Sequence, residues 1–168
     1  SSDHANLVGR YLFETKCSMV ASICAPSVVT AYHSNVDYSN VLMIAVSQSG
    51  GARDIYEVMK HCDEQGGVCV CVTNVEGSLM TQAGKYQVRN HCGPERSVTA
   101  GKSYLTQVTI VTALAAYISG DPELLSVLDE LGTIVERSLA VLEPQVRDVV
   151  RYYRNTEHML LMGRGLMD

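Results

Sequence analysis

Two short apolar runs constrain this chain more than any other feature. They are Val41-Leu42-Met43-Ile44-Ala45-Val46 and Val68-Cys69-Val70-Cys71-Val72-Thr73. A continuous apolar run of this length suits a strand covered on both faces, as in a parallel sheet. The residues between them carry a different period. Ile55, Val58, Met59 and Cys62 fall at i, i+3, i+4 and i+7, which predicts an amphipathic helix over 52–65. Gly66-Gly67 then ends it. Strand, helix and strand in this order make a parallel crossover unit.

The remaining segments extend the alternation. Leu7, Leu12 and Phe13 give a stripe that predicts a helix over 3–16. Residues 18–24 read as a strand closed by Pro26, and 27–34 as a short helix. A short segment at 78–83 and a weak strand at 85–89 follow, then a long helix over 98–118. Asp121 before Pro122 is a helix start, an N-cap followed by proline at the first helical position. Leu124, Leu128, Leu131, Val135, Leu139 and Leu142 continue a helical stripe, with Pro144 predicted to restart or kink it before helix resumes to about 154. Residues 158–162 read as one more buried strand. The fold class is therefore α/β: a three-layer αβα sandwich around a parallel sheet, with long helices on the C-terminal side.

Composition narrows the functions. The 168 residues suit one domain, or one domain and the edge of the next. With no Trp and a single Phe the core has to be aliphatic. A net charge of −5 without a Lys/Arg run argues against nucleic acid or an anionic membrane as partner. No apolar run approaches the ~20 residues of a membrane span. The six cysteines include no CxxC pair, and His61-Cys62 and His91-Cys92 lack ligand spacing, so the thiols read as reduced small hydrophobes of a cytoplasmic protein, with no metal and no cofactor. The chain begins at Ser1 without Met and stops just after the strand-like segment, which predicts a piece of a longer protein.

The candidate site is Ser47-Gln48-Ser49-Gly50, with Gly51 behind it, at the carboxyl end of the first apolar run. Ligands of α/β sheets bind at such ends. The following helix aims unpaired N–H groups at the loop, and hydroxyls and glycines add donors and close backbone approach. The bland alternative is a plain strand-to-helix connection with a serine cap. Gly101-Lys102-Ser103 imitates a nucleotide P-loop, but Arg96 stands where glycine is needed and a turn precedes it. Glu95, after Gly93-Pro94, suits either acid/base chemistry or capping of the next helix, with capping favoured.

The ordered set of these pieces resembles the sugar isomerase (SIS) domain family. Val46 to Gly50 looks like its phosphate loop, Thr73-Asn74 with Gly77-Ser78 like its next strand-end turn, and Gly93-Pro94-Glu95 through Tyr104 with Thr106-Gln107 like its Gly-Pro-Glu helix start. Ser1-Ser2-Asp3-His4-Ala5 looks like the tail of its first strand-end loop. The resemblance implies that Ser2, Ser47, Gln48, Ser49 and Gly50 contact a sugar phosphate and that Val98 adds a backbone contact. It implies a first SIS domain over 1–155 that lacks its first strand, and the start of a second over 156–168. Residues 158–163 would then be candidates for the open slot beside the first apolar run, in this chain or a partner.

The implied function is sugar-phosphate binding within an aminosugar- or ketose-phosphate isomerase or deaminase. The isomerase part of a glutamine–fructose-6-phosphate amidotransferase and a non-catalytic sensor are the alternatives. The catalytic residues are expected outside the chain, which alone would be inactive, and a homodimer is implied. Two departures bear on the branch: Ala52 stands where the family often has Thr, and Ala100-Gly101-Lys102 where amidotransferases usually have Ser-Thr-Lys. The second tilts the expectation toward a stand-alone deaminase or isomerase.

Overall fold

The structure is a computed structural model and describes residues 1–96, 100–160 and 162. Helix α1 (Ser2–Lys16) and the single turn α2 (Ser27–Thr30) precede strand β1 (Leu42–Ser47). Helix α3 (Arg53–Glu64) leads to β2 (Val68–Thr73), a 3-10 turn (Leu79–Gln82) and β3 (Tyr86–Arg89). Helices α4 (Gly101–Ser119) and α5 (Pro122–Tyr153) complete the order.

The three strands form one parallel sheet in the order β1-β2-β3, with Ser47 level with Thr73 and Thr73 level with Arg89. Strand alternation divides the core between the two faces. Ala45, Cys69 and Cys71 point to one side and pack with Val58, Met59, Cys62 and Met80. Val46, Val70 and Val72 point to the other and pack with Phe13, Val111 and Ala115. Helix α3 thus covers one face and α1 with α4 the other, which is the expected three-layer sandwich. Burial pushes the Cys69 thiol up to about 12 and Cys71 up to about 11. Both remain protonated hydrophobes, poorly suited to nucleophilic attack.

Helices α1 and α4 meet closely because Gly9 has no side chain. A Cβ there would stand 2.5 Å from Val111 Cγ1. Farther along, the Cys17 thiol donates to the Ala115 carbonyl at 3.3 Å, and Lys16 Nζ reaches Asp121 Oδ2 at 2.8 Å. The two helices therefore run in the same direction. Asp121 also caps α5, accepting from the N–H groups of Glu123 and Leu124 at 3.0 and 3.1 Å. The Lys16 hydrogen bond holds the Asp121 carboxyl below its ordinary range and raises Lys16 in return.

Four expectations need correction. Residues 18–24 form no strand; Val20 is fully exposed, and β1 pairs only with β2 among the described residues. Apolar content alone makes no strand without an edge to pair with. Residues 158–160 and 162 are likewise exposed and take no part in the sheet, so in this chain they do not fill the slot beside β1; residues 161 and 163 lie outside the described ones. Pro144 does not restart the helix: α5 runs through it without interruption. Around it the helix is exposed on all sides, so the carbonyl that loses its partner faces water. Helix α4 begins at Gly101, after Ala100 in the left-handed region; positions 98 and 99 of the predicted helix lie outside the described residues. The division at 155/156 remains an expectation.

Gly9→Leu should lose about 1–3 kcal/mol by overpacking against Val111. Urea unfolding compared with the parent chain checks this, and unchanged stability would contradict the close α1–α4 contact.

Candidate functional site

The parallel register sets the site. Because Ser47 and Thr73 end β1 and β2 at the same level, the turns leaving both strands lie side by side. The carbonyl of Gln48 accepts from Asn74 N–H at 3.2 Å and from the Thr73 hydroxyl at 3.4 Å. The carbonyl of Gly50 accepts from Met80 N–H at 2.9 Å. The loop after β1 is therefore tied at two points to the exit of β2.

Within the loop, the hydroxyls turn back on the backbone. Gly50 N–H donates to Ser47 Oγ at 3.2 Å, and Gly51 N–H donates to Ser49 Oγ at 3.3 Å. Ser47 is buried at the strand end, Gln48 is half-buried and Ser49 is exposed. Gly50 has φ +62°, in the left-handed region. A Cβ on it would lie 2.1 Å from Ser78 Oγ and 2.8 Å from Thr73 Oγ1, so space as well as φ requires glycine. Ala52 is the cap residue of α3 and makes no side-chain cap hydrogen bond. The loop thus precedes a helix N-terminus whose dipole favours an anion. The neighbouring cation, Arg53, points to solvent and pairs with Glu57 at 3.7 Å.

The other expected site residues are placed less directly. Asn90 N–H donates to the Thr73 carbonyl at 3.1 Å, and its side chain donates to the Ser103 carbonyl at 3.3 Å. This fixes the start of α4 at the carboxyl end of the sheet. Since α1 runs alongside α4 in the same direction, Ser2 lies at that end too, half-buried in the first turn of α1. Val98 lies outside the described residues.

Glu95 takes the capping role. Its Oε2 accepts from Ser103 N–H at 3.0 Å and from the Ser103 hydroxyl at 2.9 Å. Ser103 is thereby fully buried, and Lys102 stays exposed. No strand precedes this turn within residues 91–96, so Gly101-Lys102-Ser103 is a helix start and not a nucleotide loop.

Sequence reasoning gave no role to Asn74, Thr73 or Ser78, although it quoted them. Asn74 clamps the segment before α4, donating to the Gly93 carbonyl at 2.7 Å and accepting from Cys92 N–H at 3.3 Å. The only signal for this was a Thr-Asn pair at a strand end. Two surface depressions lie elsewhere, about 360 Å³ between α2 and α3 and about 520 Å³ outside the ends of β2 and β3. Neither is lined by the loop. Among the described residues, no group of three or more His, Cys, Asp or Glu side chains comes together, and no helix is long and apolar enough to cross a membrane.

The chain is similar to known proteins. The glutamine–fructose-6-phosphate aminotransferases of Thermococcus kodakarensis and Aquifex aeolicus are 34% and 30% identical over 99% of this chain. The chain spans only 29% and 28% of their lengths. A solved Silicibacter pomeroyi protein, proposed to be a phosphosugar isomerase, matches 77% of the chain and 40% of its own with TM-score 0.74 and 30% identity. The C-terminal domain of the Francisella tularensis glucosamine-fructose-6-phosphate aminotransferase matches 98% of the chain and 49% of its own with the same TM-score at 24% identity, which shows the shared fold. The sequence model of the SIS domain matches residues 2–117. The chain belongs to the SIS domain family.

Proposed function

We propose that the loop Ser47 to Gly51 holds the phosphate of an aminosugar or ketose phosphate, with Ser2 and Val98 completing the contacts. The observation that carries this reading is the pair of hydrogen bonds inside the loop. The Gly50 and Gly51 amides donate to serine oxygens at 3.2 and 3.3 Å, at the long end of the range. A charged phosphate oxygen accepts such bonds more strongly, and both serine hydroxyls, which only accept within the loop, keep their protons to donate to it. The helix behind the loop adds its dipole, so no fixed cation is needed.

The chemistry assigned to the whole protein is aldose–ketose isomerisation, in which a base moves a proton between C1 and C2 of an anchored substrate. The aminotransferase relatives move the reading toward the isomerase part of such an enzyme and away from a stand-alone deaminase. Glu95 bonds to Ser103 as a cap, which supports placing the acid and base outside the chain. The reading includes a cytoplasmic homodimer. Helix α5 supports pairing, because Val135, Leu139, Leu142, Val146 and Val149 lie exposed at helical spacing along it. Light scattering is expected to give twice the protomer mass, and a monomer would overturn that part.

Ser47→Ala and Ser49→Ala should each weaken fructose 6-phosphate and glucosamine 6-phosphate by about 1.5–3 kcal/mol. Calorimetric titration of the full-length protein measures it, and unchanged affinity in both variants would remove the phosphate role. Turnover in the same preparation separates an enzyme from a sensor, which binds without converting.

A further inference from the structure

Ser78 immediately precedes the 3-10 turn after β2, in the position where a serine hydroxyl ordinarily caps the following N–H groups. Here it does not: Ser78 makes no side-chain cap hydrogen bond. Its carbonyl instead accepts from Thr81, through the hydroxyl at 2.6 Å and the N–H at 3.1 Å. The Ser78 hydroxyl oxygen is left buried and without a partner among the described residues. Such a group costs stability. It lies against Gly50, where a Cβ on the glycine would come within 2.7 Å of Ser78 Cβ. The carbonyl of the same glycine is held from this side by Met80 N–H.

From this geometry we propose that Ser78 is a positioning residue for the phosphate loop. Its Cβ sets how closely Gly50 approaches the end of β2. Its uncommitted hydroxyl is held ready for the anion-bound loop, in which the Gly50 and Gly51 amides leave the serine oxygens for phosphate and the Ser78 hydroxyl takes up a hydrogen bond with the rearranged backbone. The substrate is not touched by Ser78. The inference rests on the phosphate reading of the loop and extends the site to the neighbouring strand exit.

The sign of two measurements tests it. Ser78→Ala keeps the Cβ and removes only the hydroxyl. Removing a hydroxyl that has no partner without ligand leaves the melting temperature of the free protein unchanged or raises it. The dissociation constant for fructose 6-phosphate is expected to rise about fivefold or more in the full-length protein. Ser47→Ala is titrated beside it. If Ser47→Ala weakens binding and Ser78→Ala stays within twofold of the parent, the inference fails while the phosphate reading stands. A weakened Ser78→Ala whose ligand-free melting temperature also falls by several degrees assigns Ser78 to packing alone and overturns the inference. If neither variant weakens binding, the phosphate reading falls and takes the inference with it.

Discussion

Most of what this chain can do rests on the parallel pairing of β1 with β2, and on where that pairing stops. Ser47 and Thr73 close the ladder at one level. A parallel register cannot slip by one residue without turning each buried side chain to the opposite face. Here such a slip would send Cys69 and Cys71 into the layer of α1 and α4 and Val70 and Val72 into that of α3. The packing of the two layers therefore fixes the height at which both strands end. That height is what lets Asn74 and Thr73 reach the Gln48 carbonyl, and Met80 the Gly50 carbonyl.

Support for the loop is accordingly divided between backbone and small side chains. Thr73 both donates to Gln48 and accepts from Val75 N–H at 3.3 Å, so one hydroxyl joins the loop to its own turn. Asn90 and Asn74 perform the same service between the sheet and the start of α4. All of these are short polar residues at strand ends. Each satisfies neighbouring backbone groups that the strands can no longer pair.

Much of this was legible in the sequence, for definable reasons. The apolar runs of β1 and β2 and the stripe of α3 carry their periods openly, and Asp121-Pro122 marks a helix start with its own chemistry. The loop Ser47 to Gly50 was visible because hydroxyls and glycines cluster directly after a buried run. What was not legible depends on distant partners. Residues 18–24 look like a strand only if an edge receives them. Pro144 looks like a restart only if the helix around it is packed. The part played by Ser78 could not be read at all, since it follows from a capping bond that is not made and from the space above a glycine far away in sequence.

Helix α5 leaves the domain at one corner, where Asp121 caps it and is gripped by Lys16 at the end of α1. Its 32 residues make a rod of about 48 Å. None of its residues is buried, so the corner governs where the far end lies. A rotation of only 5° there would carry the tip through roughly 4 Å at that length. The Lys16–Asp121 contact thus sets the heading of the rod, and a small change of angle at that corner is magnified at its remote end.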